Sequence, residues 1–305
     1  MSIIESLIGA HPVRKTRAQK EAFRAWALEQ AQAMGWDGHE EKSTTAANLV
    51  FGDPEKAEVT FTAHYDTPPV MFFPNLITPR SIGLYLLYQL VIVVVMLGGG
   101  ILLGVAMALL TGNVQLGIVV AEVLYFATLG LLIFGPANKN NVNDNSSGVA
   151  SVLEIMKRLP EEAREKTAFI LFDNEEKGLV GSAAYAKAHT TVKKEKLLIN
   201  MDCVGDGENV LFFVNKRTRA LPVYEVLKQS LEAQQGRTLL MNDMEKCIYP
   251  SDQANYRFGI AVCACNRHKV FGYYCDKIHT KHDTVCDQAN LDFIADGLVD
   301  FASRL

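Results

Sequence analysis

Histidines and acidic residues recur along this 305-residue sequence at spacings that suit a metal site. His64 and Asp66 stand two residues apart, Glu175 and Glu176 are adjacent, and three single residues extend the series: Asp144, Asp202 and His279. Zinc binds histidine nitrogen and carboxylate oxygen, and a catalytic zinc site keeps one position open for water. Each residue alone is more simply explained as a turn, a helix cap or a solvated acid. Their chemistry therefore depends on whether the fold brings them together.

Two metal ions need fewer separate ligands when one carboxylate bridges both, with the ions about 3.5–4 Å apart. The candidate ligands are His64, Asp144, Glu176, Asp202 and His279. Asp66 could then hydrogen-bond His64 and fix its tautomer. Glu175, next to a ligand, could take a proton from water and return it to a leaving amine. The set predicts hydrolysis of an amide bond.

Predicted strands lead directly into several of these residues. The strand at 58–63 ends at His64, the strand at 167–172 precedes the glutamate pair, and the strand at 196–201 precedes Asp202. Further strands are predicted at 210–214 and 260–265, and helices at 16–34, 146–159, 179–188, 221–235 and 291–301. This alternation predicts an α/β fold, with a mostly parallel central sheet and helices on both faces. Because such sheets bind ligands beyond the carboxyl ends of their strands, we expect the series to converge there.

Two long apolar stretches interrupt the α/β pattern. Residues 82–110 carry no charge, and residues 116–134 carry only Glu122. Each stretch is close to the roughly 20 residues that cross a bilayer as a helix. Residues 81–135 are therefore predicted to be a transmembrane helical hairpin, inserted in one discontinuous domain made of residues 1–80 and 136–305. A buried helix pair or a lid is the alternative, but residues 91–103 show no polar face.

The distribution of charge predicts how the hairpin is oriented. Arg80 and Lys139 flank it, whereas the connection between its helices has no Lys or Arg. By the positive-inside rule the catalytic domain should face the cytoplasm, with residues 82–134 in contact with the lipid bilayer. The absence of a recognisable signal peptide and six cysteines expected to be reduced agree with this side. A net charge of −4 without a basic run argues against nucleic-acid binding.

Five stretches make the chain resemble the M28 family of zinc aminopeptidases. They are Ala63-His64-Tyr65-Asp66-Thr67, Asn143-Asp144-Asn145-Ser146-Ser147-Gly148-Val149-Ala150, Phe172-Asp173-Asn174-Glu175-Glu176-Lys177-Gly178-Leu179-Val180-Gly181-Ser182, Asn200-Met201-Asp202-Cys203-Val204-Gly205 and Ile278-His279-Thr280-Lys281-His282-Asp283-Thr284. The resemblance implies a zinc aminopeptidase-like fold, two zinc ions and removal of an N-terminal residue from a peptide. It also implies that Asp144 bridges the ions, that His64 and Asp202 hold one, that Glu176 and His279 hold the other, and that Glu175 is the general base. His282 falls at a variable position and receives no role.

The sequence departs from the family pattern in two places. The hairpin fills the interval between His64-x-Asp66 and Asp144, which is normally short, and Gln253 stands where a histidine often lies near the substrate. Because the hairpin is inserted in the sequence between Asp66 and Asp144, its base should lie near the metals. The peptide substrate could therefore be hydrophobic or membrane-associated.

Three alternatives stay open at this point. The protein could be a single-zinc acyltransferase of the glutaminyl-cyclase type, although the intact His64–Asp66 pair argues against that reading. It could also be a non-catalytic membrane scaffold, although every ligand type is present. Manganese or cobalt could replace zinc at a site rich in carboxylates.

Overall fold

The computed structural model describes residues 1–305 and is built around a nine-stranded sheet. Its strands are β1 (Gly38–Lys42), β2 (Ala47–Phe51), β3 (Val59–His64), β4 (Thr167–Phe172), β5 (Leu197–Met201), β6 (Asn209–Val214), β7 (Thr238–Asp243), β8 (Phe258–His268) and β9 (Gly272–Tyr274). The strands lie in the order β1-β2-β4-β3-β5-β8-β6-β7, and β9 pairs with β8.

The sheet is parallel at its centre and mixed overall. Strands β4, β3, β5 and β8 run parallel to one another, as do β6 and β7. The pairs β1–β2, β2–β4, β6–β8 and β8–β9 are antiparallel. The predicted mostly parallel sheet is therefore confirmed only for the centre. Strands β1, β2, β7 and β9 were not predicted. The sequence of β1, Gly-His-Glu-Glu-Lys, is polar and largely exposed, so that it lacks the apolar pattern by which strands are recognised.

Helices cover both faces of the sheet, as predicted. The helices are α1 (Ile3–Ala10), α2 (Arg17–Ala33), α3 (Ile82–Thr111), α4 (Val114–Phe134), α5 (Gly148–Arg158), α6 (Val180–Ala188), α7 (Thr190–Glu195), α8 (Lys216–Arg219), α9 (Val223–Glu232) and α10 (Gln288–Ser303). Helices α1, α2, α5, α9 and α10 pack on one face in a core of 40 buried residues. Helices α6 and α7 pack on the other face in a smaller cluster that includes Tyr185 and Val192. Along β2, β4 and β5, successive side chains pack alternately into the larger and the smaller cluster, because side chains of a strand point to opposite faces of the sheet in turn.

Local sequence accounts for where α2 begins and which face it buries. The hydroxyl of Thr16 accepts from the backbone N–H of Gln19, whose side chain accepts from the N–H of Thr16. This reciprocal pair satisfies two N–H groups that the first helical turn would otherwise leave free. Phe23, Ala27 and Ala31 follow at helical spacing and are buried against the sheet. The N-terminal segment is thereby fixed beside the strands that carry the candidate site.

Helices α3 and α4 form the predicted hairpin and project from the rest of the fold. Both are long and apolar enough to cross a membrane. In the most apolar 18-residue stretch of each helix, only 11% (α3) and 6% (α4) is buried inside the protein. A core helix of a soluble protein would be mostly buried, so the exposure favours the lipid-facing interpretation. The two backbones meet closely at Gly104 and Gly117, where an added Cβ on Gly104 would lie 2.4 Å from the carbonyl oxygen of Gly117.

Candidate metal centre

The three central strands bring the predicted site residues to one edge of the sheet. His64 is the last residue of β3, Asp202 directly follows β5, and Glu175 and Glu176 follow β4, which is β3's other neighbour. Two loops bring Asp144 and His279 over this edge, and Asp66 lies just beyond β3. The seven predicted residues therefore lie together, although up to 215 positions separate them along the chain.

Asp144 stands between two histidines. Its Oδ1 lies 3.4 Å from Nε2 of His64, and its Oδ2 lies 2.9 Å from Nε2 of His279. Asp202 Oδ1 lies 3.6 Å from the same nitrogen of His64, and Glu176 Oε2 lies 3.5 Å from the same nitrogen of His279. The arrangement forms two clusters that share one carboxylate.

The spacing of the donor atoms fits metal ions. His64, Asp144 and Asp202 offer ligand atoms within 4.8 Å of one another, and so do Asp144, Glu176 and His279. Ligand atoms bound tetrahedrally at about 2.0–2.1 Å from zinc are about 3.3–3.4 Å apart, close to most of the distances above. His64, Glu175 and Glu176 form a third such group. The geometry alone therefore allows Glu175 to act either as a ligand or as a proton acceptor.

Burial dominates the electrostatics of the cluster. It raises the pKa of Glu175 and of Glu176 well above the usual range, and neighbouring carboxylates raise both further. Burial acts to lower the pKa of His64, but the surrounding carboxylates outweigh it, and this pKa rises well above its usual value. Burial opposes ionisation of Asp144 as well, yet the two facing imidazoles hold its pKa below the usual range. So much buried acid with only two imidazoles to balance it is the charge pattern that a divalent cation stabilises.

Asp66 connects two of the strand ends. Its Oδ1 accepts a 2.9 Å hydrogen bond from the backbone N–H of Glu175, and its Oδ2 accepts a 3.3 Å bond from that of Glu176. The same Oδ1 lies 3.5 Å from Nδ1 of His64, a ring nitrogen with no other partner. One buried carboxylate thus fixes the loop of the glutamate pair and faces the back of the His64 ring.

The loop that carries Asp144 is held by side chains from other motifs. The carboxylate of Asp283 accepts from the backbone N–H groups of Asn143 and Asp144, at 2.7 and 3.0 Å. The side-chain oxygen of Asn145 accepts from Gly148 and Cys203, and its amide donates to the carbonyl of Met201. These contacts explain why the resemblance extends over whole stretches and not only over the candidate ligands.

Arg14 contributes to the site, although the sequence analysis did not single it out. It is fully buried and donates to the carbonyl oxygen of Tyr65, to Oδ1 of Asn141 and to Oγ of Ser146. It therefore ties the residue after His64 to the loop on both sides of Asp144. The sequence around Arg14 does not indicate that it is buried, because an arginine before a helix is ordinarily a surface residue.

A second missed residue is Asp252, which lies under the site. It is fully buried, neither of its carboxylate oxygens has a hydrogen-bond partner within the protein, and burial raises its pKa to about 7. The neighbouring Gln253, which replaces the expected histidine, is also buried. Its amide donates to the carbonyl of Tyr249, and its side-chain oxygen lies 3.4 Å from the amide of Asn200. Gln253 therefore packs inside the fold and does not line the cavity over the cluster.

Four residues other than glycine adopt left-handed backbone conformations, and all lie in or next to the candidate site. They are Asn174, Leu179, Cys203 and His279. This region is unfavourable for side chains with a Cβ and is populated mainly where surrounding structure enforces it, often at functional sites. Histidines to which the sequence analysis gave no role lie elsewhere. His189 pairs with Glu41 and Glu55, and His282 is exposed.

The comparisons with known proteins concern the family and the fold. The model of peptidase family M28 matches residues 128–302. No curated protein matches the sequence. Among solved structures, a Zn-dependent exopeptidase from Parabacteroides distasonis ATCC 8503 superposes with a TM-score of 0.61 at 14% identity, over 98% of this chain and 94% of that one.

Two further structures share the fold. The glutaminyl cyclase of Porphyromonas gingivalis has a TM-score of 0.60 at 14% identity, over 99% of this chain and 95% of its own. A leucine aminopeptidase precursor from Bacteroides thetaiotaomicron VPI-5482 has a TM-score of 0.59 at 15% identity, over 99% and 94%. At these identities the structures show the fold alone, whereas the family match covers more than half of the chain: this protein belongs to peptidase family M28.

Proposed function

We propose that the protein is a zinc-dependent aminopeptidase that uses two zinc ions. The observation that carries the proposal is the position of Asp144, whose two carboxylate oxygens face two different histidines. In this assignment His64 and Asp202 hold one ion, Glu176 and His279 hold the other, and Asp144 bridges both. Bound zinc polarises the scissile carbonyl and makes water nucleophilic at neutral pH.

Glu175 is assigned the proton transfer. It lies next to the ligand Glu176 and lines the cavity over the cluster, where an ionised carboxylate can accept a proton from water and pass it to the leaving amine. Asp66 holds the backbone of Glu175 in place and faces His64, which makes it a positioning residue.

The charge of the cavity favours an aminopeptidase over a carboxypeptidase. A cavity of about 440 Å³ opens over the cluster, and no Lys or Arg lines it. A substrate carboxylate would therefore find no Lys or Arg with which to pair, as the site of a carboxypeptidase would provide. The peptidase family implies a peptide substrate, and the lack of a cationic side chain in the cavity is our reason for assigning the amino end of that peptide to the site.

The hairpin anchors this activity to a membrane in our proposal. Residues 82–134 lie in the bilayer, and the catalytic part faces the cytoplasm, supported by the exposed apolar surface of α3 and α4 and by Arg80 and Lys139 at their base. A peptidase held in this way acts on hydrophobic or membrane-associated peptides.

A glutaminyl-cyclase-like acyltransferase with one zinc is the second candidate, favoured by the cyclases among the structures that share the fold. The number of bound ions separates it from the two-zinc aminopeptidase, because only the latter needs both clusters. A scaffold without catalysis would bind no metal or leave it without function.

The test is the metal content per chain of the detergent-purified protein, compared with Asp144→Ala and with Asp53→Ala, whose carboxylate is exposed and distant. Two zinc ions lost together in Asp144→Ala, and retained in Asp53→Ala, support the proposal. One ion supports the cyclase, and none after reloading supports the scaffold. Glu175→Gln should keep zinc but lose turnover of aminoacyl amides, and full activity in this variant would refute the role of Glu175.

A further inference from the structure

The cavity over the metal centre has one wall that belongs to the hairpin. Its floor consists of the candidate ligands, but Tyr85, Gln89 and Ile92 of α3 and Leu132 of α4 line the same space. The hairpin is therefore part of the site and not only an anchor at a distance from it.

The hairpin residues that line the cavity share one helical face. Tyr85, Gln89 and Ile92 follow one another at intervals of four and three residues, which places them on one side of α3. All three are half-buried, whereas Leu86 and Val93, which point elsewhere, are 56% and 43% exposed. The same stripe continues through the half-buried Met96 to Gly100 and Gly104, which pack against α4, so α4 covers much of this face and the cavity lies at its end.

The wall lies at the level where the apolar span begins. Gly104 packs against Gly117 in the antiparallel pair, and Gln89 precedes Gly104 by as many residues as Leu132 follows Gly117. Gln89 and Leu132 are therefore level with each other, and Leu132 lies about half a turn inside the end of α4. Tyr85 lies roughly one turn further out, at the depth where aromatic side chains meet the headgroups.

The chemistry of the cavity selects an apolar side chain. Phe73, Ile77 and Ile278 of the catalytic part face the same space as Ile92 and Leu132, and none of the lining residues is Lys or Arg. Gln89 is the one amide that the hairpin contributes, and it can serve the backbone of a bound peptide.

We propose that the hairpin forms the specificity pocket of the enzyme, in which Ile92 and Leu132 contact a large apolar side chain at the N-terminus of the substrate. This proposal rests on the aminopeptidase function proposed above. It names the substrate class as peptides whose first residue is leucine-like or aromatic, taken up at the boundary between headgroups and hydrocarbon.

The test uses the full-length protein in lipid nanodiscs, loaded with zinc, and aminoacyl coumarin amides of leucine, phenylalanine, alanine and glutamate. The readout is the ratio of kcat/KM for leucine to kcat/KM for alanine. Ile92→Ala and Leu132→Ala remove apolar contacts that only the larger side chain reaches, so each should lower the ratio by about tenfold. The matched control is Leu131→Ala, at a neighbouring position that is 48% exposed, and its ratio should equal that of the wild type.

A space-filling variant tests the same contact from the opposite direction. Leu132→Trp narrows the pocket, so phenylalanine amide should lose more than tenfold in kcat/KM relative to alanine amide. Damage that is merely structural would lower the rates for all four substrates by the same factor and leave the ratios unchanged. Zinc content and thermal unfolding of every variant establish that the chain is folded.

The outcomes separate this inference from the function on which it rests. If the wild type hydrolyses none of the amides, the aminopeptidase assignment fails and the pocket fails with it. If the wild type is active but Ile92→Ala, Leu132→Ala and Leu132→Trp keep the wild-type ratios, the hairpin does not select the substrate and only the inference is overturned.

Discussion

Replacing Asp66 by asparagine tests how the strand ends cooperate in holding the metal. The carboxylate is buried, and its two oxygens accept from two backbone N–H groups, at 2.9 Å from Glu175 and 3.3 Å from Glu176. Asparagine has nearly the same shape but only one oxygen. Whichever way its amide turns, one partly buried N–H faces an NH₂ group and loses its acceptor.

The magnitude follows from these contacts. A buried donor left without a partner costs about 1–3 kcal/mol. The substitution also removes the negative charge that lies 3.5 Å from Nδ1 of His64, so the ring loses the group that orients it. Changes of this kind next to a metal ligand typically weaken metal binding or activity by about 10–100-fold, which corresponds to about 1.4–2.7 kcal/mol. We expect Asp66→Asn to fall in this range for zinc affinity and to lower kcat as well.

The assay is competition for zinc between the purified protein and a chelator of known affinity, followed by hydrolysis of leucine amide at saturating zinc. Asp53→Asn is the control, because Asp53 is exposed and contacts only its own turn and Lys56. Zinc affinity and turnover of Asp66→Asn within twofold of the wild type would refute the reasoning, since the backbone of the glutamate pair and the His64 ring would then be held by other groups.

Three further predictions address the buried arginine, the metal and the hairpin. Arg14→Lys should lower the unfolding free energy by about 2 kcal/mol or more, because a single ammonium cannot replace a guanidinium that bonds four separate acceptors. The exposed Arg17→Lys is the control in denaturant unfolding, and equal stability of both variants would contradict the prediction. Raising free zinc to a hundred times its Kd should stabilise the folded protein by about 2.7 kcal/mol. The measurement is the rise in Tm across a series of zinc buffers, and a Tm independent of zinc would rule out a metal bound in the folded state. Gly104→Val should lower the Tm in detergent, because the added valine side chain would meet the backbone of α4. The control is Gly98→Val, which should keep the Tm because no atom lies within 4 Å of the added Cβ. Equal Tm values would mean that the two helices do not pack as described.

Most of the candidate site residues lie at positions that carry a local signal in the sequence. His64, the glutamate pair and Asp202 follow buried strands, whose apolar runs are visible in the sequence, and parallel strands present their carboxyl ends together. Asp144 and His279 lie in loops, and only the similarity of whole stretches to a known family indicated where they belong. Their roles as ligands remain predictions that the metal measurements address.

The edges of the sheet were harder to predict. Strands β1 and β9 are short and carry few apolar residues, so no two-residue period identifies them. Their antiparallel pairing depends on which neighbours are available at the sheet edge, a property of the assembled fold. The mixed character of the sheet therefore followed from contacts that no local pattern records.

The sequence by itself determined the α/β class, the apolar hairpin and the types of residue at the site, since strand burial, helix length and side-chain chemistry are properties of short segments. Only the tertiary structure decided that Arg14 bonds Asn141 and Ser146 and that Asp252 lies buried without a partner. It also decided which face of α3 meets the cavity. The physical reason is that burial and close contact between residues far apart in sequence depend on how the elements pack, and every residue of an evenly apolar helix looks alike until one face is covered.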